Sequence, residues 1–106
     1  MILSLIKVDV EGAEEDVLDG MSKIIQRSTD LRLIIEYNPG ELKNAGKNPF
    51  LFFEKLDALG FQIEMIDESK GLEPLDPFDC NSLVTNLLGS GATVNLFCSQ
   101  KLKRKN

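Results

Sequence analysis

Histidine is missing from this 106-residue chain, and cysteine occurs only at Cys80 and Cys98, with no CxxC spacing. A zinc centre is therefore not expected, since its usual imidazole ligands are absent. The same lack removes the base that would activate a thiol, so both cysteines read as small apolar fillers. No secretory leader is legible, because Lys7 cuts the apolar run of residues 1–6 short. A disulfide framework is accordingly not expected, and a reducing cytoplasmic setting is. No stretch approaches the ~20 apolar residues of a membrane span. Walker and GxGxxG phosphate cradles are absent too, and Gly89-Ser90-Gly91 is too short and too late to replace one.

What is present is ordinary globular material, with 42% hydrophobic and 27% charged residues. The formal charge is −5, and setting aside Lys101, Lys103, Arg104 and Lys105 leaves −9 over residues 1–100. A body so acidic is poorly suited to gripping nucleic acid through phosphates. The basic cluster at 101–106 reads as a solvated, disordered tail, and residues 1–100 as one domain.

Two patterns alternate along that domain. Residues 2–9 are a nearly continuous apolar run and predict a buried strand. From Glu11 to about Ser28 the period changes: Ala13, Val17, Met21, Ile24 and Ser28 recur at steps of three and four, widened by Leu18 and Ile25. Leu31–Tyr37 predicts a second buried strand, stopped by the turn signal Asn38-Pro39-Gly40. Asn48 then caps a helix with Pro49 at its first position, a face of Phe52, Phe53, Leu56 and Leu59, and Gly60 at its end. Phe50 and Phe61 join the expected core. Residues 61–67 alternate as a half-exposed strand, 68–92 read as a long loop with a short helix near Ser82–Leu88, and 93–99 form a last strand. The order predicts an α/β sheet, mostly parallel, with helices packed on it and a last strand inserted antiparallel beside the second or third.

Ligands of open α/β sheets sit outside the carboxyl ends of the strands. Asp9 and Glu11 stand at the carboxyl end of the first strand and Glu36 at the same end of the second, so these carboxylates are the candidate site. Such groups could deprotonate a hydroxyl, bind sugar hydroxyls or hold a divalent cation. Purely structural readings stand beside these: Asp9 as a helix N-cap, and Glu11, Glu14 and Glu15 as charges favoured at a helix start.

The segment Ile6-Lys7-Val8-Asp9-Val10-Glu11-Gly12-Ala13-Glu14, with Val17-Leu18 and Gly20, resembles the C-terminal half of FkbM-type methyltransferases. The likeness continues at Ile34–Pro39, at Leu56–Phe61 and at Asn95–Phe97. The resemblance implies part of a Rossmann-like, class I methyltransferase sheet and an S-adenosylmethionine-dependent O-methyltransferase acting on a sugar or other hydroxylated small molecule. It implies that Asp9, with Glu11, faces the acceptor and that Glu36 lines the pocket. The glycine-rich turn and ribose-holding acidic residue of that family do not occur here, so this chain alone is expected to be inactive. Its uncovered strand 2–9 is expected to pair with another chain, a second copy included.

Two other readings compete. One is a non-catalytic, self-associating binding module. The other treats Asp9-Val10-Glu11-Gly12 as a relative of the haloacid-dehalogenase pattern with magnesium-assisted phosphoryl transfer; Glu11 in place of the second aspartate weakens it.

Overall fold

The computed structural model describes residues 4–8 and 14–101. Five strands, β1 (Ser4–Val8), β2 (Leu31–Tyr37), β3 (Phe61–Asp67), β4 (Gly71–Pro74) and β5 (Val94–Gln100), form one sheet in the order β1-β2-β5-β3-β4. Helices α1 (Glu14–Gly20) and α2 (Ser22–Arg27) lie between β1 and β2. Between β2 and β3 come α3 (Pro39–Asn44), a 3-10 turn at Pro49–Leu51 and α4 (Phe52–Ala58), and α5 (Asn81–Ser90) precedes β5. Among the described residues, no helix is long and apolar enough to cross a membrane.

The α/β class holds, but the expectation of a mostly parallel sheet is corrected. Among the described residues only β1 and β2 pair in parallel. The other three pairings, β2 with β5, β5 with β3 and β3 with β4, are antiparallel. The cause is insertion: β5 enters between two strands that share a direction, and so pairs antiparallel with both. The β3–β4 hairpin adds the third such pairing, where the sequence suggested only loop.

One face of the sheet carries the core. β2 alternates buried and half-buried residues from Leu31 to Tyr37, the period-2 signature of a strand covered on one side. Leu33, Ile35, Tyr37, Ile63, Leu96 and Cys98 join Phe52, Phe53 and Leu56 of α4 and Val84 of α5 in a single cluster. Val8, Leu18 of α1 and Ile25 of α2 belong to it as well. On the other face the register aligns Lys7, Ile34, Phe97 and Glu64 in one row across the sheet. None of the described residues on that face is buried. The apolar run Leu33-Ile34-Ile35 is thus split between a dry side and a wet one.

Several local expectations are refined. The helix expected from Glu11 to Ser28 is broken at Met21, directly after Gly20, and residues 11–13 fall outside the described set. Its buried line runs through Leu18 and Ile25, while Ile24 is 52% exposed. Asn38-Pro39-Gly40 starts a helix rather than a turn: the Asn38 Oδ1 accepts from the Glu41 N–H at 3.1 Å and Pro39 sits in the first turn of α3. Phe52, Phe53 and Phe61 are buried as expected, but Phe50 is exposed. Of the expected basic tail only Lys101 is described; its N–H donates to the Gly60 carbonyl.

Candidate functional site

Topology gathers the carboxyl ends of β1, β2 and β3 on one rim, since these three strands share a direction. The last described pair of the parallel ladder is Val8 with Ile35. Asp9 and Glu11 lie outside the described residues. Glu36, one residue past that pair, stands half-buried on the open face with Asn95 of β5 beside it, and Ile66 of β3 next along the row. Its carboxylate makes no ion pair or side-chain hydrogen bond among the described residues. It is therefore a charge in partial contact with solvent and able to accept a hydrogen bond from a hydroxyl.

The neighbouring tip residues are committed to structure. Tyr37 points to the core face, where its hydroxyl donates to the Pro49 carbonyl at 2.8 Å. Its ring lies 5.5 Å from Phe52 and 4.8 Å from Phe53, a cluster that ties the end of β2 to α4. Burial pushes the Tyr37 phenol far above its ordinary value, with the Cys80 thiol adding to the effect, so it holds its proton. Asn38 caps α3.

Asp67, at the carboxyl end of β3, was not singled out by the sequence. Its Oδ1 accepts from Ser69 Oγ at 2.7 Å and from the N–H groups of Ser69 and Lys70 at 2.8 and 2.9 Å. Hydrogen bonds from Ser69, then Lys70, hold this carboxyl below the usual range. It shapes the β3–β4 turn. The signal was Asp-Glu-Ser-Lys-Gly, an acidic turn-former two residues before a serine and four before Gly71, whose φ is +81°.

A cavity of about 350 Å³ lies at the opposite rim, lined by Ser22, Ile25 and Gln26 of α2, Ser28, Thr29, Ala58–Gly60, Gln100 and Lys101. Gln100 clasps this end: its Nε2 donates to the Ile25 carbonyl at 2.8 Å and its Oε1 accepts from the Leu31 N–H at 2.7 Å. Lys101, the cation of the cavity wall, is paired with Asp57. The cavity and Glu36 thus sit at opposite ends of β2. Ligands of open α/β sheets lie outside the carboxyl ends of parallel strands, here β1 and β2, so the carboxylate rather than the cavity marks the candidate site. Among the described residues, no group of three or more His, Cys, Asp or Glu gathers as a metal site.

Both cysteines are free and buried. Cys80 donates to the Asp76 carbonyl at 2.9 Å. Burial, with Asp76 and Asp79 nearby, raises its thiol above the ordinary value, and burial alone pushes Cys98 up to about 12. Neither is poised as a nucleophile, which agrees with their reading as fillers.

The profile of the Methyltransferase FkbM domain matches residues 2–66, more than half of the chain. That span includes Asp9, Glu11 and Glu36 and ends within β3. Comparison with curated proteins gave no match, and comparison with solved structures gave none.

Proposed function

We propose, from the premise that this chain belongs to the Methyltransferase FkbM domain family, that it is the acceptor-side portion of an S-adenosylmethionine-dependent O-methyltransferase acting on a sugar or other hydroxylated small molecule. The observation that carries this reading is the family match over residues 2–66, a span that includes Asp9, Glu11 and Glu36. In this reading Asp9 accepts a hydrogen bond from the acceptor hydroxyl and takes its proton as the oxygen becomes a nucleophile. Glu11 and Glu36 line the same opening and orient the acceptor. The setting is a reducing cytoplasm, in which the two thiols stay free.

The described residues do not by themselves fit the cofactor. Among the described residues no glycine-rich turn follows a strand, and the cavity stands at the rim away from Glu36. S-adenosylmethionine is therefore assigned to a half of the domain that this chain does not supply, and residues 1–100 act as the C-terminal half. Among the described residues strand β1 has only β2 beside it, and its second edge is where that half, or a second copy, would pair.

Calorimetric titration with S-adenosylhomocysteine tests the division of labour. The isolated chain should give no binding heat at micromolar ligand, and micromolar affinity would overturn it. A panel of polyols titrated into the labelled chain should shift amide resonances around Glu36, and Glu36→Gln should abolish the shifts. Perturbations confined to the Gln100 rim would move the acceptor site there.

A further inference from the structure

We propose that Asn95 selects the acceptor, holding a second oxygen next to the one at Glu36, and that Phe97 supports the ring that carries both. The ligand class is a cyclic vicinal diol. The inference rests on the acceptor reading of Glu36 and narrows it.

Asn95 is the residue that calls for an explanation. It lies in β5, the middle strand of the sheet, where asparagine is disfavoured. Its side chain is exposed, and among the described residues it makes no hydrogen bond that would account for its presence. A position where residue type and local structure disagree, with no structural return, is where a functional site is expected. Asn95 is paired with Glu36 of β2 on one side and Ile66 of β3 on the other. Residues directly opposite on paired strands share a face. All three therefore stand together on the open face, at the carboxyl rim of β2 and β3.

The chemistry of the pair is complementary. Opposite side chains on antiparallel strands start about 4.5–5.5 Å apart at Cβ. An ionised Glu36 offers only acceptors, whereas the Asn95 amide offers two N–H donors and a carbonyl. Among the described residues neither is spent on the other or on a neighbour. One hydroxyl can donate to Glu36 while the oxygen on the next carbon accepts from Asn95. A lone hydroxyl satisfies half of this arrangement, and a vicinal diol satisfies all of it.

Phe97 follows on the same face of β5, partly covered and outside the ring cluster of Tyr37, Phe52 and Phe53. Ile34 and Glu64 flank it. Same-face neighbours on a strand are about 7 Å apart, a span that a six-membered ring bridges when its hydroxyl edge is held at the rim. The C–H groups of that ring then rest on Phe97, with Ile34 and Ile66 beside it, and apolar surface leaves water. An open-chain diol makes both hydrogen bonds without that floor.

Amide-resonance titrations of the labelled full chain test this with three probes: vicinal cyclohexanediol, cyclohexanol and ethylene glycol. The first has ring and paired oxygens, the second only the ring, the third only the pair. The cyclohexanediol should bind most tightly, with shifts centred on Glu36, Asn95 and Phe97. Asn95→Ala should weaken it about 3–10-fold, the loss of one hydrogen bond, and leave cyclohexanol unmoved. Phe97→Ala should weaken both cyclic probes and leave ethylene glycol unmoved. Should Phe97→Ala fail to fold in melting curves, the wild-type preference for cyclohexanediol over ethylene glycol decides the platform. A cyclohexanediol that binds Asn95→Ala as tightly as wild type overturns the proposal. So does an equal loss for cyclohexanol, which is what a merely structural Asn95 would give, or a wild type that ranks ethylene glycol level with the ring. In those cases Glu36 keeps its acceptor reading. Shifts by no probe, or only at the Gln100 rim, overturn that reading and this inference together.

Discussion

The two faces of this sheet hold the molecule together to very different degrees. One is lined by Leu33, Ile35, Tyr37, Ile63, Leu96 and Cys98, while on the other Ile34 and Phe97 stand among Arg32, Glu36, Gln62, Glu64, Asn95 and Ser99. Ile34 and Ile35 are adjacent and chemically identical. Ile35 is fully buried in the cluster with Tyr37 and Leu96, and Ile34 stands half-covered on the other side. The difference lies in what the chain brings over each face: the described helices deliver Leu18, Leu42, Phe52, Phe53, Leu56, Val84 and Leu87 to one side only. Hydrophobic sequence marks what a strand can bury, and helix placement decides what it does bury.

The largest test of that contrast is truncation on each side. Phe53→Ala should lower unfolding free energy by about 3–5 kcal/mol in urea titration, because the ring is wholly enclosed and leaves a cavity. Ile34→Ala should cost only about 1 kcal/mol, as little area leaves water there. Equal losses would mean that both faces are covered in solution.

Alkaline pH sharpens the comparison from inside the closed face. Cys98 keeps its proton to about 12 when folded, against an ordinary 9.0. The unfolded chain therefore binds fewer protons than the folded one between those values. Stability is complete below about pH 9 and falls as pH rises toward 12, with a slope of up to about 1.4 kcal/mol per pH unit from this group. Tyr37 acts in the same direction above its ordinary 10.0. Cys98→Ala should flatten the first part of that slope in denaturation series at fixed pH, and an unchanged slope would place the thiol in contact with water.

Tyr37→Phe is a smaller change than Phe53→Ala. The ring stack survives, but the buried Pro49 carbonyl loses its 2.8 Å donor, at about 1–2 kcal/mol. Glu36→Gln, one residue away on the open face, should leave the melting temperature within error, and so separates anchor from candidate site.

Much of this was legible in the sequence, for identifiable reasons. β2 and β3 have the predicted limits because Asp30 and Asn38 bracket one, and Gly60 and Glu68 the other, with apolar residues recurring at alternate positions between them. Asn48 and Pro49 open a helical segment as expected, with Asn48 Oδ1 accepting from the Phe50 N–H. β4 was hidden because Gly71 and Pro74 are loop residues by composition, and the strand exists only through its pairing with β3. α3 was missed because Asn-Pro-Gly serves turns and helix starts alike, and the choice rests on Leu42 reaching the core. At the candidate site, Glu36 could be placed from its strand, while the expectations for Asp9 and Glu11 fall on residues outside the described set.

The position of β5 bears on how the chain acquires its shape. It is the last described strand in sequence and the middle one in space. During synthesis β2 and β3 emerge long before the segment that joins them, so no stable intermediate can include both until residue 100 has left the ribosome. Such distant pairings slow the search for the native state and leave unsatisfied strand edges waiting. The sheet is accordingly completed only once β5 has been synthesised.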